Sequence, residues 1–271
     1  VTLWTALPIG LLIGTFGTLI GAGGGFLLVP LLVLLEPDWG TETVTAFSLA
    51  VVAANALAGT FSYVRLRRVD VASIPYFAGA AIPGAIGGAL LSPLIPRRIF
   101  DGLLGCAILA AAIALARTPP LHQHSRRGGT ARALTDRTGE RFAWEFDLRL
   151  GMAGSAGVGL LSSLLGIGGG IVHVPFMIAV LGFPEHVATA TSHAVLALTA
   201  SAAVVVHGLQ GDYTVHLHRT LLCAAGALLG APLGAQLATR VPGRSIARIL
   251  AAALGLVGVR LLVEALRPYA G

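Results

Sequence analysis

Lysine is absent from this 271-residue chain, and all 18 basic residues are arginine. Charge of either sign is scarce, at 11% of residues against roughly 25% in soluble domains, and mean hydropathy is +0.84, which excludes an ordinary soluble domain. Cysteine is nearly missing too. Cys106 and Cys223 lie in apolar stretches, are expected in the core, and form no disulfide framework or metal-ligand spacing. No HExxH, CxxC or Walker pattern occurs. No aromatic and basic residues interleave as nucleic-acid binding requires. No Asp or Glu falls in the middle of an apolar stretch. Intramembrane carboxylates are the usual sodium or proton relays, so a cation pump is disfavoured, and neither a metal nor a cofactor is expected.

Hydrophobic length is what the chain has in abundance. Apolar stretches fall at about 3–36, 43–64, 71–95, 99–116, 148–182, 187–208, 217–239 and 246–266. A ~30 Å hydrocarbon core takes ~20 helical residues, so the chain reads as an all-α polytopic membrane protein with about eight hydrophobic segments. Its place is the cell inner (plasma) membrane, with the lipid bilayer as its first partner. No cleavable signal pattern is evident, and insertion is expected to rely on the first segment itself. Between Arg117 and Arg149 stand seven arginines (117, 126, 127, 132, 137, 141, 149) against Asp136, Glu140, Glu145 and Asp147. The positive-inside rule makes this stretch cytoplasmic, with Arg65, Arg67 and Arg68 in a second cytoplasmic turn; Glu36, Asp38 and Glu42 mark an outer loop. Pro119-Pro120, His122, His124 and Gly128-Gly129 make it a linker with little helical pattern.

The most telling pattern is a pair of glycine runs. Gly21-Ala22-Gly23-Gly24-Gly25 precedes Pro30, and Gly166-Ile167-Gly168-Gly169-Gly170 precedes Pro175, at an offset of 145. Thr45-Ala46-Phe47-Ser48 matches Thr189-Ala190-Thr191-Ser192, and Gly84, Gly88, Pro96 and Arg98 match Gly230, Gly234, Pro242 and Arg244. An offset steady within two residues reads as an internal repeat. The expected units are a transmembrane repeat at 1–117, an Arg-rich cytoplasmic linker at 118–147 and a second transmembrane repeat at 148–271. The first apolar stretch of each half runs to roughly 33 residues, or ~50 Å as a helix, too long for one straight span. A tilted, broken helix there gives eight crossings and parallel halves, whereas a hairpin at the glycines gives ten crossings and inverted halves. Arg240, Arg244 and Arg248 favour inversion; Arg219 and Arg267 favour the parallel form. Gly84-Ala85-Ile86-Gly87-Gly88 and Gly226 to Gly234 read as helix-packing faces.

Glycine breaks at membrane depth persist only where they are buried in protein or line a wet cavity, and matched breaks in two halves point to a transporter's binding site. Backbone N–H groups at the N-terminus of the half-helix after each run suit an anion without a buried cation. The candidate substrate contacts are therefore Gly23, Gly24, Gly25, Gly168, Gly169 and Gly170, with Thr45, Ser48, Thr191, Ser192 and His193 as side-chain donors. Asn55 and Thr189 are further hydroxyl or amide candidates. His193 and His173 are the candidates for proton coupling, because imidazole changes charge near neutrality. The first half has Leu49 and Leu28 at those places, so the second half is expected to dominate. His207, His216 and His218 lie near a span end or loop and read as interfacial. A Ser-His hydrolase built on Ser192 or Ser163 lacks a buried carboxylate orienter and a nucleophile elbow, so the chain is not expected to be an enzyme.

The paired GxGGGxxxVP runs, each followed by a segment opening on Ala-Thr-Ser-like residues, resemble the TauE/SafE family of sulfite and organosulfur-anion exporters. The resemblance covers nearly the whole chain, and the second copy, with Ala190-Thr191-Ser192, fits the pattern more closely than the first, where Phe47 replaces the threonine. It implies a secondary transporter exporting small sulfur-containing anions such as sulfite or sulfonates, with proton coupling a further expectation. The alternatives are a passive anion channel using the same glycine-lined pore and a non-transporting accessory subunit using the glycines for packing. The expected partner besides lipid is a small anionic substrate and no nucleic acid; the oligomeric state is left open.

Overall fold

A computed structural model describes residues 3–117, 129–239, 251–252, 255–256 and 258–263. Helices α1 (Leu3–Ile20), α2 (Gly25–Leu35), α3 (Thr41–Arg65), α4 (Ile74–Leu91) and α5 (Arg97–Arg117) precede a hairpin of β1 (Thr130–Thr135) and β2 (Arg141–Phe146). Helices α6 (Leu148–Leu165), α7 (Gly170–Ala179), α8 (Glu185–Gln210) and α9 (Leu217–Leu237) follow. Six of these, α1, α3, α4, α6, α8 and α9, are long and apolar enough to cross a membrane. Large apolar side chains such as Trp4, Phe16, Phe61, Val205 and Leu228 point outward, as a lipid-facing surface requires. The readings that rest on Pro119 to Gly128, on Arg240, Pro242, Arg244 and Arg248, and on Arg267 lie outside the described residues.

Small residues set the helix neighbours. Gly226 meets Leu7 and Leu11, Gly230 meets Leu11 and Thr15, and Gly234 meets Thr15 and Leu19, so α1 and α9 run parallel in close contact. Gly84 and Gly88 likewise press on Ala156, Leu160 and Leu164, making α4 and α6 a second parallel pair. Both packing faces expected from the sequence are therefore in use. Between the pairs, α3 and α8 cross antiparallel: Gly59 lies against His193, Leu49 clusters with Ala203, and the Tyr213 hydroxyl donates to the Ala46 carbonyl at 3.1 Å.

At the glycine runs the chain folds back on itself. Gly151, Gly154 and Ser155 of α6 meet Leu181, Phe176 and His173, so α7 returns toward the face from which α6 came. In the first half Gly24 packs on Ile13, and Glu36, just past α2, lies 3.9 Å from Arg219 at the start of α9. Since α9 runs parallel to α1, α2 also returns to its starting face. The hairpin alternative thus describes both turns. At 11 and 10 residues, α2 and α7 measure only ~16 Å, too short to span alone. They sit inside the bundle, where Phe26, Leu28, Val29 and Leu32 are wholly buried with Phe100, Leu104 and Ile108 of α5.

Two expectations, for Cys106 and His207, need correction. Within the stretch 118–147 expected as linker, residues 130–146 form an antiparallel hairpin in which Thr130 faces Phe146 and Thr135 faces Arg141. The period-2 alternation of Phe142, Trp144 and Phe146 lays an aromatic face on Phe183 and Phe77 at 4.8–5.8 Å between ring centroids. Cys106 is exposed on α5 and only Cys223 is buried, because one helix face of α5 looks outward. His207 is wholly buried, its Nδ1 2.6 Å from Asp212 Oδ2, so a carboxylate partner takes it out of the interface.

The turn of the hairpin is organised by Asp136. Its Oδ1 accepts from Thr138 N and Oγ1 and from Glu140 N at 2.6–3.1 Å, while its Oδ2 receives Arg68 Nε and Nη2 at 3.1 and 2.9 Å. Burial alone pushes this carboxyl up, but the bonds from Thr138, Arg68 and Glu140 more than offset it and hold it down at about 2.

The small-residue contacts yield an internal comparison. A methyl on Gly230 collides with the Leu11 carbonyl and lies 2.8 Å from Thr15 N, whereas one on Gly157 meets nothing within 4 Å. Gly230→Ala is expected to lower stability by about 1–3 kcal/mol and Gly157→Ala to raise it by up to ~1 kcal/mol. Melting of the two purified variants in detergent checks both signs.

Candidate functional site

The two turns meet at the centre of the bundle and run antiparallel past each other. Gly25 abuts the backbone of Gly166 and Ile167, and Gly170 abuts Gly21 and Ala22, with no room for a Cβ at either position. Any side chain there would drive the turns apart. Gly21 and Gly166, which end α1 and α6, have φ of +77° and +66°, a left-handed conformation that glycine adopts freely. The same two residues pack on Thr189 and Thr45 respectively.

Against the second turn lies a narrow cavity, with room for little more than a water molecule, lined by Ser155 and Ser162 of α6, Gly169, Gly170 and His173 of α7, and Ser192 and Thr199 of α8. Val158, Val195 and Leu196 supply its apolar wall. No charged side chain lines it. Gly169 starts α7 with no side-chain cap; its carbonyl accepts from Val172 N and His173 N at 3.1 and 2.8 Å, and Gly169 and Gly170 border the cavity at the positive end of the helix dipole. Ser192 Oγ is buried and has no hydrogen-bond partner among the described residues. Ser155 Oγ and His173 Nε2 lie 3.0 Å apart. This is the separation of a nucleophile and its base, yet no carboxylate is hydrogen-bonded to the ring among the described residues. Its neutral donors suit a small anion, which the cavity has to widen to admit.

The first turn is closed by a different cluster. Thr18 Oγ1 donates to Asn55 Oδ1 at 2.8 Å and lies 3.4 Å from His193 Nε2, while the Tyr63 hydroxyl donates to the Thr18 carbonyl at 2.6 Å. The His193 ring meets Tyr63 edge-on and nears the Gly21 backbone; its Nδ1 makes no regular hydrogen bond.

The residues singled out from sequence are thus divided. Gly169, Gly170, His173 and Ser192 line the cavity, and Gly168, packed on Val52, turns the chain into it. Gly23 and Gly24 pack on Leu196 and Ile13 at the first turn, and Gly25 touches the second. Ser48 donates to the Gly166 carbonyl at 2.7 Å and so braces the second turn. Thr45 back-bonds to Thr41 O at 2.9 Å within its own helix. Thr191 accepts from the Asp70 N–H at 2.9 Å, away from the cavity, and His193 belongs to the first-turn cluster. Three consecutive residues of α8 therefore serve three places, as ~100° per residue dictates. Ser155, Ser162 and Thr199 were not singled out. Their signal is the 155, 159, 162 spacing of small residues on one face of α6.

Long apolar helices enclosing a small, uncharged polar cavity at two broken segments define a membrane transporter. The chain belongs to the TauE/SafE sulfite exporter family, whose profile matches residues 6–261. It is 31% identical over 266 residues to the probable membrane transporter protein YunE of Bacillus subtilis, covering 94% of this chain and 96% of that one. It is 25% identical over 269 residues to the probable membrane transporter protein MJ0441 of Methanocaldococcus jannaschii, covering 94% and 93%. No solved structure matches it.

Adjacent residues on α8 separate binding from stability. For any anion held in this cavity, Ser192→Ala takes away a charge-assisted donor worth about 1.5–3 kcal/mol and is expected to weaken binding roughly 10- to 100-fold with little change in melting temperature. Thr191→Ala strands the Asp70 N–H and is expected to lower the melting temperature, with affinity retained. Thermal-shift titration of both variants makes the comparison.

Proposed function

We propose that this protein is a secondary transporter that exports small sulfur-containing anions, such as sulfite or sulfonates, across the cell inner membrane, and is not an enzyme. The observation that carries this reading is the cavity at the second turn, built from neutral donors alone. Backbone N–H groups of α7 and the hydroxyls of Ser155, Ser162 and Ser192 stabilise negative charge without a buried arginine to trap it. The family name points to sulfite, and the two relatives are described as membrane transporters.

In this reading the substrate contacts are Gly168, Gly169, Gly170, Ser192 and His173, with Gly23, Gly24, Gly25, Thr45 and Ser48 shaping the crossing and Thr191 and His193 acting from α8. The halves 1–117 and 148–271 form inverted repeats: α3 and α8, which correspond in sequence, run antiparallel, and α1 pairs with α9 as α6 pairs with α4. Rocking of one repeat on the other exposes the cavity to each face in turn. The Arg-rich face with the β-hairpin is cytoplasmic. His193, or His173, carries a proton.

Gly169→Leu is expected to abolish anion binding while the protein still inserts, since a side chain there meets Val158 at 2.8 Å and Ser162 at 3.3 Å. Thermal shift of wild type and variant against sulfite, thiosulfate, sulfoacetate, taurine, sulfate and chloride is the check; equal responses would place the anion elsewhere. For coupling, the rate of sulfite efflux from proteoliposomes between pH 5.5 and 7.5 is expected to lose its pH dependence in His193→Ala. A profile identical to wild type removes His193 as the carrier.

A further inference from the structure

On the β-hairpin face of the bundle, a run of polar contacts reaches the cavity helix. On the hairpin face, Arg137 N donates to the Leu66 carbonyl at 3.1 Å, and Arg68 pairs with Asp136 at 2.9 Å with both side chains almost wholly buried. Four residues from Leu66, Asp70 continues the connection. Its N–H donates to Thr191 Oγ1, its Oδ2 receives Ser73 Oγ at 2.5 Å, and Arg132 Nε of β1 lies 3.8 Å from that same oxygen. Thr191 is the neighbour of Ser192. A path of bonded groups therefore runs from the hairpin through loop 66–73 to the cavity-lining turn of α8. The aromatic face of the hairpin covers the ends of α7 and α8, with Trp144 and Phe146 on Phe183 and Phe142 near His186. The opposite face has its own links, among them Arg97 Nη1 to the Trp39 carbonyl at 2.7 Å, His207 with Asp212 at 2.6 Å and the Trp39–His216 stack at 4.1 Å.

We propose that the β1–β2 hairpin is the gate on its face of the bundle: it closes the route to the cavity and opens when Arg68 parts from Asp136, releasing the hold of Asp70 on Thr191. The proposal rests on the transporter reading. An ion pair suits this task better than apolar contact. Burial strips both charges of water, so the closed pair adds little net stability, and when the hairpin lifts both charges are rehydrated, which offsets the lost attraction. Removing only Arg68 has another result: it leaves the Asp136 carboxylate buried without its cation, so the closed state alone is penalised. Ser192 lies seven residues inside α8 from Glu185, or ~10 Å along the axis, so lifting the hairpin is enough to admit a small solute from this face.

The test uses the full chain carrying Cys106→Ser and Cys223→Ser, reconstituted in proteoliposomes. First, Ser192→Cys is labelled with a small water-soluble methanethiosulfonate. Adding Arg68→Gln is expected to raise the labelling rate at least fivefold, with Arg68→Lys between the two; an unchanged rate in Arg68→Gln overturns the proposal. Second, a Leu66→Cys/Arg137→Cys pair, with serine retained at 192, is cross-linked across the existing backbone contact. Exchange of radiolabelled sulfite is expected to fall at least tenfold on oxidation and to recover on reduction, and exchange indifferent to the cross-link overturns the gate. If the reduced protein exchanges neither sulfite nor thiosulfate, the transporter reading fails, while the labelling rates still decide whether the hairpin gates access.

Discussion

The constraint on which the bundle depends is that two breaks in its helices must have their backbone groups satisfied without bulk water. Unpaired peptide groups in hydrocarbon cost several kcal/mol each, so an unsupported break would be expelled from the membrane. Here each turn is supported from several directions. Gly17 O accepts from Ala22 N and Gly23 N at 2.8 and 3.1 Å, Tyr63 caps Thr18 O, and Ser48 holds Gly166 O. The rest of the architecture follows from letting the turns meet. Glycine on both strands of the crossing admits contact at backbone distance, and α2 and α7, too short to span, are then trapped inside the bundle, where their side chains become core.

Much of this was legible in the sequence, for reasons that also explain what was not. Apolar length and glycine at a fixed offset are properties of whole segments, and both survive the loss of three-dimensional information. The direction of the chain after each glycine run is another matter. It depends on contacts such as Gly154 with Phe176 and Glu36 with Arg219, which join residues far apart and leave no periodic trace. The hairpin escaped notice because its alternation spans only three aromatic residues inside an arginine-rich stretch. Within the site, Thr191, Ser192 and His193 read as one motif because they are adjacent, yet a helix sends them to the loop, the cavity and the first turn. Ser155 and Ser162 look like packing residues in sequence, and a hydroxyl that bonds a neighbouring helix has the same spelling as one that faces a cavity.

The two turns share a backbone design and differ in side chains, and that difference assigns the chemistry. At the offset of 145, Ser155, Ser162 and His173 correspond to Gly10, Gly17 and Leu28. The first turn thus lacks those three side chains; near it Thr18 bonds Asn55 Oδ1 and Tyr63 bonds Thr18 O, while Asn55 Nδ2 and His193 Nδ1 have no partner among the described residues. Ser48 and Ser192 correspond as well, but Ser48 is bonded to Gly166 while Ser192 has no partner among the described residues. Of these two matched serines, one secures the crossing, and the proposed function gives the other to the ligand.

A transport site must bind strongly enough to select and weakly enough to release, and the cavity's neutrality answers that requirement. A buried arginine facing an anion would attract it strongly and would itself be left uncompensated after the anion departs, at a cost of several kcal/mol. Peptide N–H groups and hydroxyls carry partial charges only, so their desolvation is modest in both the loaded and the empty state. The helix dipole of α7 adds positive potential that is fixed in the fold and needs no counter-ion. Among the described residues, the ion pairs Arg68–Asp136, Arg97–Asp101 and Arg219–Glu36 lie toward the faces of the bundle instead. In the proposed function, charge near the ends and partial charge in the middle leave the substrate as the only full charge that has to cross.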